Sequence, residues 1–188
     1  MQQEKKQNTY CVLASKLPSN DLDRIYHDTQ YGFPLICDNE LFGRLILEIN
    51  QAGLSWKTIL NKKDNFRRFY SNFNVKEIAK YKKKDVEKLL YNKGIIRNKL
   101  KINAIIYNAQ KVITLQQKYG SFKKWLDQNS KLNLELWIKL FKNIFKFTGD
   151  EITKEFLVST SYLYGAHTSK CKTYNVIMKK KPIWNRNN

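Results

Sequence analysis

The sequence predicts an all-α protein. Apolar residues recur at three- and four-residue intervals along most of the chain, and no stretch alternates apolar and polar side chains over the length of a strand. Glycine and proline, which punctuate chains of short strands, number only seven and three in 188 residues.

Taken in order, the segment through Pro34 has little periodicity and two prolines, Pro18 and Pro34, so it is expected to be irregular and tied down from outside. The first strong helix runs from Asn39 to Ala52, with Leu41, Phe42, Leu45, Ile46 and Ile49 on one buried arc. A second runs from Ser55 to Tyr70, its stripe made of Trp56, Ile59, Leu60 and Phe66, and Asn74 caps a short third. Helical patterns from Asp85 to Asn92 and from Asn98 to Tyr119 are joined by Lys93-Gly94-Ile95-Ile96-Arg97, a connection short enough to force the two helices antiparallel or steeply crossed. Further helices are expected at Ser121 to Gln128, Leu132 to Phe145 and Asp150 to Gly165. The chain is expected to form a single domain over residues 1–188, with flexible tails at 1–8 and 180–188.

The formal net charge is +19, from 35 Lys and Arg against 16 Asp and Glu, a balance that points to a polyanionic partner, most often nucleic acid. The abundance of Lys, Asn, Ile and Tyr also fits a coding bias that raises charge without any partner. The polar N-terminus does not read as a secretory signal, and no run approaches the ~18 apolar residues of a membrane span. A soluble, cytoplasmic protein, acting as a monomer and without membrane contact, is the expectation. Three cysteines, an odd number without an export signal, argue against a disulfide framework and leave metal binding to be tested.

The stretch Glu48-Ile-Asn-Gln-Ala-Gly-Leu-Ser-Trp56 carries the most chemistry. Glu48 lies at the edge of the apolar arc and projects toward the interior, where a carboxylate is costly unless paired. Gly53 breaks the helix, Ser55 offers a cap for the next, and Leu54 is left as an apolar side chain on an exposed turn. The plain alternative is an ordinary corner with Glu48 solvated and both Leu54 and Trp56 packed. The hairpin at Gly94 has two readings as well. It looks like a helix–hairpin–helix, whose backbone amides and flanking cations, here Arg97, Lys99 and Lys101, would face duplex phosphates. Without a more glycine-rich turn it also reads as a plain two-helix corner.

His167 and Cys171 are four apart, which places them on one face if the segment is helical. The chain has only two histidines, and with Cys11 and His27 near the other end they make a closed two-Cys, two-His set, tetrahedral and with no position left for water. Such a set is structural, clipping the start of the chain to its end. Cys37, the odd one out, is expected to be a small buried hydrophobe.

Taken together, Cys11, the segment Tyr26-His27-Asp28-Thr29-Gln30-Tyr31-Gly32-Phe33-Pro34, Glu48 to Trp56, Gly94-Ile95-Ile96-Arg97, Phe145-Lys146-Phe147-Thr148-Gly149 and His167 to Cys171 resemble, in order and spacing, the DNA-3-methyladenine glycosylase I family. The resemblance covers nearly the whole chain. It implies a helix–hairpin–helix glycosylase fold with one structural zinc ion on Cys11, His27, His167 and Cys171. It also implies a pocket for an extruded base, with Tyr26 and Trp56 stacking, Tyr31 lining it and Glu48 accepting hydrogen bonds from the adenine edge. Gly53 and Leu54 match a turn that probes the duplex, and Arg97 and Lys99 fall where the backbone is gripped.

The activity implied is monofunctional: excision of 3-methyladenine from alkylated double-stranded DNA by hydrolysis of the N-glycosidic bond, leaving an abasic site for base excision repair. Glu48 is the first candidate for a catalytic role. Two positions depart from the family's pattern. Leu13 stands where an aromatic usually follows the first cysteine ligand, and Tyr31 replaces the Trp before Gly-x-Pro. The competing reading from another class is a non-catalytic, zinc-stabilised helical protein that binds nucleic acid, and a third is a helical core whose basic surface reflects coding bias alone.

Overall fold

The computed structural model describes residues 10–186. Among them every regular element is helical. The helices are α1 (residues 10–16), α2 (Leu22–Thr29), α3 (Asp38–Gln51), α4 (Trp56–Phe69), α5 (Val75–Ile78), α6 (Lys83–Tyr91), α7 (Lys99–Tyr119), α8 (Phe122–Gln128), α9 (Leu134–Ile144), α10 (Asp150–Ser159) and α11 (Lys172–Lys179). Single 3-10 turns lie at Ser71–Phe73 and Ile183–Asn185. No described helix is long and apolar enough to cross a membrane. The all-α expectation holds. The chain divides into two compact units, a central one of Ile36–Lys154 and a terminal one built from Met1–Leu35 and Glu155–Asn188.

In the central unit α3 and α7 are the hub. α7 packs against α3, α5, α6 and α8, and α3 packs against α4, α5 and α8 as well. All ten residues from Leu41 to Asn50 are buried, so α3 is enclosed on every side and Glu48 lies within it, not at an edge. Gly43 makes that enclosure possible: a Cβ there would lie 2.4 Å from Cδ2 of Phe73, whose ring fills the space. Arg67 lies over the Phe73 ring, its guanidinium 5.1 Å from the centroid while Nη2 donates to both oxygens of Glu40. Asp38, in the first turn of α3, accepts from the backbone N–H groups of Phe122 and Lys123 and so caps α8 across the unit.

Side-chain caps set the helix starts, four of them where expected, while α9 begins at Leu134 and not at Leu132. Ser55 accepts from Thr58 N, Asn74 from Glu77 N, Asn98 from Lys101 N, Ser121 from Lys124 N and Asn133 from Leu136 N. Each bond satisfies an amide that the first turn would leave open and contributes about 1 kcal/mol. The loop after α9 is pinned by Asn108, fully buried on α7, which donates to Lys146 O and accepts from Lys146 N.

Four expectations are corrected. The opening segment is not irregular: α1 and α2 form there, the latter capped by Asp21 accepting from Asp23 N. Their inward faces carry Cys11 and Ala14, and Tyr26 and His27, too few apolar residues to register as a stripe. α10 stops at Ser159, not Gly165, because Tyr162 N and Ser161 N turn back to Leu157 O and Val158 O with Ser161 at φ 72°, a helix stop made without glycine. The tail is ordered through Arg186: Ile183 is buried with its N–H on Ser161 Oγ, and Trp184 N donates to Ser161 O. Cys37 is exposed, since it stands at the N-cap of α3 and ahead of its apolar arc. The tail expected at 1–8 and the last two residues of the chain lie outside the described residues.

Replacing Gly43 by alanine is expected to lower stability by about 1–3 kcal/mol, because Phe73 is held by Arg67 and has nowhere to retreat. Urea unfolding followed by circular dichroism measures it, and a midpoint equal to that of the wild type would contradict this account of α3.

Candidate functional site

In the terminal unit the four residues counted as a ligand set converge. One ligand atom each from Cys11, His27, His167 and Cys171 lies within 4.8 Å of all the others. Cys11 Sγ is 3.8 Å from His167 Nδ1, Cys171 Sγ 3.5 Å from the same nitrogen, and Cys171 Sγ 3.7 Å from His27 Nε2. A tetrahedral ion such as zinc, with bonds of about 2.3 Å to sulfur and 2.0–2.1 Å to nitrogen, spaces those ligands roughly 3.5 Å apart. The residues therefore fit such an ion. The convergence does not come from a helix, as the four-residue spacing suggested. His167 lies in irregular chain, Cys171 N donates to Thr168 O, and Cys171 is the N-cap of α11.

The second nitrogen of each ring is fixed. His27 Nδ1 lies 2.7 Å from Asp28 Oδ1, and His167 Nε2 lies 2.9 Å from Tyr31 O. These partners leave His27 Nε2 and His167 Nδ1 for the ion, the outer-shell arrangement that orients metal-ligating histidines. Asp28 is itself held by Arg24 Nε and Thr173 Oγ1. Burial opposes the charge on Asp28, but the bonds from Arg24 and His27 prevail and keep its carboxyl below the usual value. Burial pushes the His167 imidazole down to about 4, so it is neutral, as a ligand must be. Burial likewise pushes the Cys11 thiol up to about 11. A bound cation favours the thiolate.

Aromatic residues surround this cluster. Tyr26 is buried, its ring centroid 5.7 Å from that of Tyr31, and Tyr10 meets both Tyr31 and His27 edge-on at 5.4 and 5.5 Å. Tyr31 Oη donates to Glu155 at 3.2 Å. Tyr31 thus anchors a ligand through its backbone and holds the tyrosine group through its ring. Tyr10 and Asp28 escaped the sequence reading, although each is adjacent to a ligand, Cys11 or His27. Leu13, on α1, is exposed.

The central unit carries the other candidates. Glu48 is only 4% exposed on α3, with Arg44 buried one turn before it. Beyond Gln51 the chain turns sharply: Leu54 N donates to Gln51 O at 2.7 Å, Gln51 Nε2 returns a bond to Leu54 O, and Gly53 takes φ +80° with nothing within 4 Å of a Cβ built there. Leu54 is 38% exposed on that turn, and Trp56 begins α4 half-buried. The hairpin after α6 is braced by Lys62 Nζ on Lys93 O, Asn92 Oδ1 on Gly94 N, and buried Ile95. Arg97 and Lys99 are exposed there. Lys101 is not among the free cations, as the sequence suggested: it is buried, and Nζ donates to Asn50 O and Ala52 O.

A family model described as methyladenine glycosylase matches residues 16–144. The chain belongs to that family. Among curated relatives it is 41% identical over 97 residues to DNA-3-methyladenine glycosylase 1 of Escherichia coli (strain K12), a match spanning 52% of each protein. It is 35% identical over 101 residues to DNA-3-methyladenine glycosylase of Haemophilus influenzae, spanning 54% of this chain and 55% of that one. The matched stretch thus spans about half the length of these relatives. Among solved structures, a 3-methyladenine DNA glycosylase I superimposes with a TM-score of 0.75 at 31% identity, covering 84% of this chain and 96% of that one. The Staphylococcus aureus 3-methyladenine DNA glycosylase I, a structure concerned with 3-methyladenine recognition, gives 0.77 at 29%, covering 88% and 96%. The likeness to these structures includes the terminal unit that the family model leaves largely unmatched.

Asp28→Ala is expected to weaken metal binding about 10- to 100-fold by freeing the His27 ring. Competition with a chromophoric chelator, or cobalt titration read by thiolate charge-transfer absorption, measures it. Wild-type affinity in the variant would contradict the role given to Asp28.

Proposed function

We propose that this protein is a DNA glycosylase that flips 3-methyladenine out of alkylated double-stranded DNA and releases it by hydrolysis of the N-glycosidic bond. The observation that carries the reading is the buried carboxylate of Glu48, one turn before a closed turn that presents Leu54 outward. Methylation at N3 makes the base cationic and a better leaving group. A carboxylate removed from water attracts a cation far more strongly than one in solvent, and aromatic faces add to that attraction. Glu48 is assigned to accept hydrogen bonds from the base and to favour its charge, with Trp56 in the same unit giving it flat apolar surface. Unmodified adenine lacks the charge and pairs better in the duplex, so it is harder to extrude.

Water supplies the hydroxyl that replaces the base on the sugar, leaving free base and an abasic site. No side chain forms a covalent intermediate, so the strand stays intact. Leu54 and Gly53 fill the gap left in the stack. The hairpin at Lys93 to Arg97 acts as a helix–hairpin–helix element on the backbone, with Arg97 and Lys99 on phosphates. Both units serve one functional domain, the protein acts as a monomer, and the setting is cytoplasmic.

In the same reading Cys11, His27, His167 and Cys171 hold one zinc ion. Its role is structural: all four positions are protein ligands, and it ties the helices at the chain's start to its end. Tyr31 is positioned by that tie through its bond from His167.

The test compares release of 3-methyladenine from methylated duplex by the wild type and by Glu48→Gln. The variant is expected to lose about a hundredfold in kcat/KM, a loss typical of removing one aligned electrostatic group, while its affinity for duplex stays the same or rises slightly. Unchanged release by the variant would remove Glu48 from the chemistry. A folded wild type that binds duplex and releases nothing would favour a non-catalytic binder. For the metal, one zinc per chain is expected by atomic absorption in the wild type and none in Cys171→Ser, with a lower Tm. A wild type free of zinc and equally stable with or without chelator would contradict the assignment.

A further inference from the structure

The burial of Lys101 calls for a role, because an ammonium group removed from water is costly unless it is well bonded. Its Nζ donates to Ala52 O at 2.7 Å and Asn50 O at 2.9 Å, two carbonyls that the end of α3 cannot satisfy within the helix. The negative end of the helix dipole adds to the attraction. The other end of the residue is fixed too: Lys101 N donates to Asn98 Oδ1, the cap that starts α7 directly after the hairpin. Lys101 therefore joins two elements about fifty residues apart in the chain, the exit of the hairpin and the last carbonyl before Gly53 and Leu54.

We infer that Lys101 is a positioning residue that sets the height and orientation of the Gly53–Leu54 turn relative to the hairpin, so that gripping the backbone and filling the stack occur in register. This rests on the glycosylase reading of the turn. The turn has little else to hold it. Within it Leu54 N bonds Gln51 O and Gln51 Nε2 bonds Leu54 O, and a Cβ at Gly53 would meet nothing within 4 Å. A lysine reaching across from α7 gives it a fixed foot that local sequence cannot supply. The burial that makes this clamp rigid also lowers the pKa of the ammonium group.

The consequence is specific to duplex substrates. Lys101→Met keeps the length of the side chain and removes the donors. It is expected to slow release of 3-methyladenine from duplex about tenfold, while affinity for the free base 3-methyladenine, which needs the pocket and not the turn, stays within about twofold. Leu54→Ala is expected to slow duplex release as well, and Lys101→Met added to Leu54→Ala to slow it little further, because both changes disable the same device.

The experiment is that double-mutant cycle on duplex release, with free-base affinity by calorimetry and folding by circular dichroism. Losses that multiply in the double variant, wild-type duplex release in Lys101→Met, or an equal fall in free-base affinity would each overturn the inference. If Lys101→Met does not fold, Lys101→Arg takes its place: it keeps the charge with donors in a wider fork, and slowed duplex release with intact base affinity is again expected, wild-type release overturning the inference. A wild type that releases no base defeats the glycosylase reading and this inference together. An active wild type with a normal Lys101→Met defeats this inference alone.

Discussion

Keeping a carboxylate out of water inside a helix buried on all sides is the constraint on which the central unit turns. Glu48 sits in a run of ten buried residues, and such a run can be enclosed only if neighbouring helices approach α3 from every direction. Gly43 lets Phe73 close one side, Asp38 draws the start of α8 against another, and Lys101 closes the far end. An acid so enclosed gains a Coulombic reach that a surface acid lacks. The enclosure that makes Glu48 costly to the fold is also what the proposed function draws on.

The terminal unit meets a different problem. Its first two helices bury only Cys11, Ala14 and Tyr26 among apolar residues. Two cysteines and two histidines converge beside those helices, with Cys11 and His167 brought together across 156 positions of chain. The bonds from His27 to Asp28 and from His167 to the Tyr31 carbonyl carry the order of that cluster outward. Tyr31 is thus held at its backbone by His167 and at its ring by Tyr10 and Tyr26.

How much of this was legible in the sequence follows from which interactions have a local signature. α4 and α7 were readable because apolar periodicity and Ser or Asn caps coincide, α3 from its apolar arc alone, and the convergence of Cys11, His27, His167 and Cys171 was readable because histidines and cysteines are so scarce. α1 and α2 were hidden because their inward faces are made of ligands and a tyrosine. The end of α10 was hidden because Ser161 does what glycine usually does. Lys101 was misjudged for a physical reason: a lysine beside a hairpin looks like a phosphate ligand, and only the fold reveals that two carbonyls of another helix claim it. Cys37 was misplaced because it stands at the N-cap of α3, ahead of the apolar arc that the core covers.

The proposed function assigns the enclosed acid and the outward turn to removal of one alkylated base. The most direct measurement is product analysis on a duplex carrying a single 3-methyladenine, incubated with metal-loaded protein. Free 3-methyladenine and abasic sites appearing in equal amounts, with the strand uncut until alkali is added, is the predicted result. Tight binding to that duplex with the base still attached, or a strand cut without alkali, would contradict it.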